Sequence, residues 1–137
     1  MRVLSVCLLV ISTSACMAQP PNNTPMEKID CTVIRNSLQL DNCVHKNMMS
    51  SNAQLLSEMT SFEKRAKKIY KPDPALGKEL IDKVRSAQKA WLSYRQKNCS
   101  VEAFEVQEGT AAYITTVNNC IIHMNVERTK VLKKLLQ

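Results

Sequence analysis

Apolar residues recur every three or four positions in three long stretches of the chain, and this spacing places their side chains on one face of an α-helix. The stretches cover residues 44–69, 76–94 and 113–135. None of them alternates apolar and polar residues as a half-buried strand does. The pattern therefore predicts three long helices that bury their apolar faces against one another.

Capping and helix-breaking residues set the expected ends of the first two long helices. Asp41 is the expected N-cap of the first one, and the Lys-Pro-Asp-Pro run at 71–74 is expected to end it, because a residue before proline avoids the helical region. Asp73 is the expected N-cap of the second, with Pro74 at the first helical position. That helix is expected to continue to about residue 106.

Two further signals complete the predicted helix boundaries. Gly109 suits the left-handed conformation that ends a helix, and Thr110 is the expected N-cap of the last helix. The Thr-Pro-Met-Glu run at residues 24–27 matches a capping box, which predicts a short N-terminal helix ending near Leu40. The expected fold class is all-α, a small up-down bundle of three long helices and one short N-terminal helix.

The first 25 residues are predicted to be a signal peptide followed by a tether. Residues 1–18 have a charged start, an apolar stretch and a small-residue cleavage region, as in a bacterial secretory signal peptide. Residues 19–25 are polar and rich in proline, which predicts an extended tether and leaves 26–137 as the helical domain. An alternative is a lipoprotein box at residues 13–16 with Cys16 acylated. Either way we expect an exported, periplasmic protein, soluble or lipid-anchored.

Four cysteines remain after the signal peptide, and an even number in an exported protein predicts two disulfides. Sequence alone allows three pairings of Cys31, Cys43, Cys99 and Cys120. A continuous helix would separate Cys31 from Cys43 by about 18 Å, beyond disulfide reach, so pairing them requires a break near residues 36–37 or 41–42. Pairing Cys99 with Cys120 requires a reversal, which Gly109 allows. The favoured pairs are therefore 31–43 and 99–120.

The composition limits the chemistry that the chain performs. There are two glycines and two histidines in 137 residues, too few for a glycine-rich phosphate loop or a His-based metal site. The sequence contains no nucleophile elbow, no HExxH and no Cys-x-x-Cys pair. Aromatic residues make up 4%, which disfavours base stacking and hence nucleic acid as a partner. We predict a non-enzymatic binding protein without metal or cofactor.

The segment 87–99, Ala-Gln-Lys-Ala-Trp-Leu-Ser-Tyr-Arg-Gln-Lys-Asn-Cys, resembles the signature of the LprI-like family, named for a lysozyme inhibitor. Asn52, Met59 and Asn125 stand where that family usually has Asp, Tyr and Thr. The resemblance implies a helical, disulfide-bonded domain outside the cytoplasm. The positions that carry the signature are Gln88, Trp91, Tyr94, Arg95, Gly109 and Arg128.

The signature residues have a structural interpretation beside the functional one. Arg95 lies four residues after Trp91, so on a helix its guanidinium can stack on the indole ring. Arg128 is expected to bind a carboxylate from a neighbouring helix, Glu102 or Glu105. We expect these residues to act mainly as scaffold.

Three binding functions fit these observations. The resemblance implies inhibition of lysozyme, although the formal charge of +7 opposes binding to a basic lysozyme. The alternatives are a periplasmic immunity protein that neutralises a delivered toxin, and a binder of anionic envelope components. The candidate partner-binding residues form an acidic set and a basic set: Glu102, Glu105 and Glu108, and Lys64, Arg65, Lys67 and Lys68, with Lys71 beside them.

Overall fold

The computed structural model describes residues 31–137, which form three helices. These are α1 (Ser37–Ile69), α2 (Pro74–Glu102) and α3 (Ala111–Lys134). The predicted signal peptide, tether and lipidation site at Cys16 lie outside the described residues, as does the start of the predicted short helix. The all-α bundle with three long helices is confirmed, and the described part of the chain contains no strand.

The helix ends follow local capping chemistry at two of three N-termini as predicted. The Asp73 carboxylate accepts a hydrogen bond from the backbone N–H of Leu76, and Pro74 occupies the first turn of α2. The Thr110 hydroxyl likewise accepts from the backbone N–H of Tyr113 at the start of α3. Each such cap contributes about 1 kcal/mol to helix stability.

The start of α1 differs from the prediction. The N-cap is Asn36, whose side chain accepts from the backbone N–H of Gln39, so residues 37–40 belong to α1 rather than to a separate short helix. Asp41 lies inside α1, where its carboxylate accepts a hydrogen bond from the hydroxyl of Thr115 on α3. The prediction that Asp41 is the N-cap is wrong. Its side chain binds Thr115, which is distant in sequence, and the local pattern does not reveal that contact.

The helices run up, down and up, so α1 and α3 are parallel and α2 is antiparallel to both. Three apolar clusters fill the bundle from one end to the other. Their buried members are Leu55, Met59 and Leu132; Phe62, Ala66 and Ile81; and Cys99, Cys120 and Ile121. Both disulfides form as favoured, with Cα–Cα distances of 5.7 Å for Cys31–Cys43 and 5.5 Å for Cys99–Cys120.

The buried faces of α2 and α3 are rotated from the faces that the apolar pattern predicts. On α3, Leu132 is 0% exposed whereas Val131, which the pattern places inside, is 48% exposed. On α2, Tyr94 is 58% exposed although the pattern places it with Trp91. The reason is that polar residues occupy inward positions: Gln88 on α2 and Asn118 and Asn125 on α3 are buried.

α2 ends earlier than predicted, and a loop connects it to the start of α3. α2 ends at Glu102, four residues before the predicted end, and a loop of residues 103–110 follows. Gly109 in this loop has a φ of 79°, the left-handed conformation that was predicted for it, but it lies seven residues after the end of α2 and does not end that helix. None of the three described helices is long and apolar enough to cross a membrane.

Candidate functional site

A polar cluster at mid-height of the bundle joins all three helices through Arg95. One terminal nitrogen of its guanidinium donates to the side-chain carbonyl oxygens of Asn52 on α1, at 3.0 Å, and of Asn125 on α3. Asn125 is 0% exposed. Its amide nitrogen donates to the Ser51 hydroxyl and to the Asn52 carbonyl oxygen, both at 2.9 Å. The two amide oxygens thus point at a cation.

Trp91 lies beside two guanidinium groups in the same cluster. The Cζ atoms of Arg95 and Arg128 are 5.6 Å and 5.7 Å from the centre of its ring, within cation–π range. The Nε of Arg128 donates to the side-chain oxygen of Gln88 at 2.9 Å. The contact of Arg95 with Trp91 is the one that the i, i+4 spacing predicts.

The prediction that Arg128 binds Glu102 or Glu105 is wrong. Glu102 is fourteen residues beyond Gln88 on α2, or about 21 Å along the helix axis, out of reach of an arginine on α3 that lies opposite Gln88. The Glu102 carboxylate instead accepts from the amide of Asn98 at 2.9 Å. Glu105 lies farther away still, in the loop after α2.

The cluster carries two positive charges without a carboxylate. Within residues 31–137 neither Arg95 nor Arg128 forms an ion pair, and the Nε of Arg95 is buried without a hydrogen-bond partner. Partial burial lowers the pKa of both arginines, because removing water disfavours the charged form. Amide dipoles and the indole ring are what offset this desolvation. The arrangement ties three helices together and contains no acid–base pair of the kind that catalysis uses.

The second candidate site is the loop of residues 103–110, which connects α2 to α3. Phe104 is 85% exposed, the largest exposed fraction of any large apolar side chain in the described residues. Ala103 beside it is 0% exposed, and the buried Cys99–Cys120 disulfide closes the base of the loop. The loop therefore presents a phenylalanine to solvent from a buried support.

Hydrogen bonds between residues close in sequence fix the conformation of this loop. The backbone N–H groups of Phe104 and Val106 donate to the carbonyls of Val101 and Ala103, at 3.1 Å and 2.9 Å. The Thr110 hydroxyl donates to the Gln107 carbonyl at 2.7 Å. A shallow depression of about 620 Å³ lies beside Phe104, with Val101 and Tyr113 among its lining residues.

The stretch of chain that forms the loop carries a charge opposite to that of the whole chain, with Lys97 directly before it. Residues 98–126 contain three glutamates and no lysine or arginine, although the chain carries a formal charge of +7. These glutamates surround Phe104 in sequence, are exposed and form no ion pair within the described residues. They are the acidic candidates Glu102, Glu105 and Glu108.

Sequence reasoning identified the acidic candidates but missed Phe104. The available signal was its position, since an aromatic residue among glutamates lies off any apolar stripe.

The basic candidates lie at the opposite end of the bundle, near the end of α1. Lys64, Lys67, Lys68 and Lys71 are exposed. Arg65 does not belong to this surface: it forms an ion pair with Glu58 at 3.0 Å and donates to the Leu132 carbonyl, with its side chain 31% exposed. Its role in the structure is to join α1 to α3.

Comparisons with known proteins identify one family and two similar proteins. A family model described as lysozyme inhibitor LprI matches residues 31–132. An uncharacterized protein of Rhizobium meliloti (strain 1021) is 24% identical over 121 residues, covering 85% of this chain and 86% of that protein. The crystal structure of a DUF1311 family protein from Pseudomonas putida KT2440 aligns with a TM-score of 0.66 and 25% identity, covering 72% of this chain and 92% of that one.

Proposed function

The chain belongs to the lysozyme inhibitor LprI family, and from that premise we propose that it inhibits a basic lysozyme outside the cytoplasm by inserting the loop of residues 103–110 into the enzyme's glycan-binding cleft. The family as a whole implies a protein partner such as lysozyme. The two disulfides and the family also suggest an exported protein. We extend the proposal to secretion through residues 1–18, with an acylated Cys16 as the form that stays on the envelope.

The exposure of Phe104 carries this proposal. Phe104 is 85% exposed and Val101 beside it is 71% exposed, and aromatic anchors that fill a partner's pocket dominate the energy of many interfaces. The disulfide and the turn hydrogen bonds hold the loop before it binds, so little conformational entropy is lost on association.

The charge of the loop supports the choice of a basic target. Glu102, Glu105 and Glu108 present negative charge within a few residues of Phe104, and complementary charge raises the association rate and selects partners. Salt screens such interactions over about 8 Å at physiological ionic strength, so the distant lysines contribute little to the encounter at this loop.

The test is the rate at which a basic, animal-type lysozyme clears a peptidoglycan suspension in the presence of the oxidised protein. Phe104→Ala is expected to weaken inhibition by about 30-fold, the effect of losing about 2 kcal/mol at an interface hot spot. The matched control is Leu56→Ala, which removes another exposed apolar side chain, 69% exposed, from the middle of α1. This control is expected to inhibit as the unaltered protein does.

Charge is tested with a second pair of variants in the same assay. Replacing Glu102, Glu105 and Glu108 with Gln is expected to slow association with lysozyme. In the clearing assay the inhibition should therefore be weaker and should depend less on salt. The control replaces three exposed acids elsewhere, with Glu79→Gln, Asp82→Asn and Glu127→Gln. If the unaltered protein fails to inhibit, the function is wrong; if it inhibits and Phe104→Ala does so equally well, the loop is not the inhibitory surface.

Immunity against a delivered toxin remains the alternative of a different class. It predicts that the unaltered protein leaves lysozymes of several types unaffected and binds a secreted toxin instead. The acidic loop favours the inhibitor because it supplies a docking surface of the right sign for a basic lysozyme.

A further inference from the structure

A cavity of about 400 Å³ opens at the corner where α1 turns into α2. We propose that this corner binds anionic phospholipid, with the lipid phosphate at the cavity's cationic rim and the corner's exposed apolar side chains in the leaflet. The corner surface consists of the residues that line the cavity, which include Lys67 and Lys71, together with the exposed Ile69 and Leu76. It is independent of the proposed inhibition, because α2 places Pro74, beside the two lysines, about 42 Å from Glu102 at the start of the loop.

The floor of the cavity is apolar because the two helices approach closely at one glycine. A Cβ atom at Gly77 would lie 2.8 Å from the Cβ of Tyr70, so only glycine lets Tyr70 lie against α2 in this way. Pro74 and Ile81 also line the cavity. The result is an apolar recess at the surface, which suits the upper part of an acyl chain or a glycerol backbone better than a fully hydrated ion.

The rim of the cavity carries more positive charge than its own acids neutralise. Four cations and one acid line it: Lys67, Lys71, Lys78 and Arg85, and Asp82. Two of these cations are occupied, since Lys78 contacts Asp82 and Arg85 forms two 2.7 Å hydrogen bonds to Glu63 on α1. Lys67 and Lys71 make no ion pair within residues 31–137, so both ammonium groups remain available to a phosphate.

Exposed apolar residues distinguish a lipid surface from a soluble polyanion at this corner. Ile69 is 51% exposed and Leu76 is 48% exposed, and each is the chain neighbour of a cavity residue. Lys64 and Lys68 extend the positive charge around them. A polyanion needs only the lysines, whereas a membrane interface also takes up apolar side chains beside basic ones.

The test is binding of the oxidised protein to sedimented vesicles at physiological salt. We expect retention on vesicles that contain 30% phosphatidylglycerol in phosphatidylcholine and none on pure phosphatidylcholine. One lysine near an anionic surface changes binding about fivefold, so Lys67→Gln with Lys71→Gln is expected to weaken it about 30-fold. The control pair is Lys46→Gln with Lys97→Gln, two exposed lysines near the opposite end of the bundle, which is expected to leave vesicle binding unchanged.

The apolar contribution and the source of the phosphate are tested separately. Ile69→Ser with Leu76→Ser is expected to weaken vesicle binding while leaving binding to soluble polyphosphate unchanged. Dihexanoyl phosphatidylglycerol below its micelle concentration is expected to bind more tightly than inorganic phosphate, because only the lipid fills the apolar floor.

Three outcomes would overturn the proposal. They are no retention on anionic vesicles even at low salt, equal retention after both lysines are replaced, and polyphosphate binding without vesicle binding. The last outcome would make the corner a polyanion surface. Lysozyme inhibition by the Lys67→Gln, Lys71→Gln variant is expected to be unchanged, which separates a failure here from a failure of the inhibitor proposal.

Discussion

Replacing Asn52 with aspartate should stabilise the bundle, because it supplies the carboxylate that Arg95 lacks. The Asn52 oxygen already accepts from Arg95 at 3.0 Å and from the Asn125 amide at 2.9 Å, and a carboxylate oxygen accepts from both donors equally well. Among residues 31–137 the Asn52 amide nitrogen donates only to the Met48 sulfur, a weak acceptor, so little is lost. The family pattern, which usually has Asp at this position, agrees with this reasoning.

The expected gain in unfolding free energy is about 1–2 kcal/mol. An exposed ion pair contributes about 0–1 kcal/mol, and charge-assisted hydrogen bonds are about twice as strong as neutral ones. Arg95 is partly buried and already fixed by Asn125, so the new pair loses little side-chain entropy; the cost of desolvating the carboxylate keeps the gain below the values for fully buried pairs. For a domain of this size the melting temperature should rise by about 5–10 °C.

Thermal and urea unfolding of the oxidised protein and of Asn52→Asp test this at pH 7 and at pH 3. The cation at Arg95 lowers the pKa of the introduced carboxyl in the folded state, so its stabilisation is present above the unfolded pKa of about 3.9 and disappears as the pH falls through the folded value. The Arg95→Gln background should abolish the gain at pH 7. An unchanged or lower melting temperature at pH 7, or a gain that survives without Arg95, would refute the reasoning.

Two further predictions concern the disulfide and the pH dependence. Replacing Cys99 and Cys120 with Ser should lower the free energy of unfolding by about 3 kcal/mol, because the bridge closes a loop of about 20 residues; a urea midpoint equal to that of the unaltered protein would contradict this. The hydrogen bonds from Arg85 lower the pKa of Glu63, so their stabilisation is present above the unfolded pKa of about 4.3 and is lost as the pH falls. The melting temperatures of Arg85→Met and the unaltered protein should therefore differ at pH 6, and the difference should shrink as the pH falls through the lowered folded pKa of Glu63; a constant difference would show that the pair does not act through ionisation.

The features that the sequence predicted correctly are those that local chemistry decides. Asp73 and Thr110 cap their helices because the donor that each needs is three residues away, and Gly109 has a positive φ because the turn around it requires one. The cysteine pairs followed from the reach of a disulfide and the positions of helix breakers. Each of these inferences compares residues within about twenty positions of one another.

The features that the sequence did not predict depend on contacts between helices. Asp41 resembles an N-cap as closely as Asn36 does, and only the distant hydroxyl of Thr115 explains why it lies inside α1. The apolar pattern misplaced the buried faces because Gln88 and Asn125 are polar and yet buried. Their burial is favourable because Arg128, Arg95 and Ser51 satisfy their hydrogen bonds, and each of those partners comes from another helix.

The distribution of charge decides which partners the bundle attracts, and the net charge does not. The acidic loop and the basic corner are about 42 Å apart along α2, which is about five Debye lengths at physiological ionic strength. A partner approaching Phe104 therefore experiences the field of Glu102, Glu105 and Glu108 and almost none of the field of Lys67 and Lys71. This weakens the objection that a chain with a formal charge of +7 must repel a basic lysozyme, since only Lys46 and Lys97 among the lysines discussed lie near the end that carries the loop. It also requires that added salt weaken the two proposed interactions independently, each through the charges at its own end of the molecule.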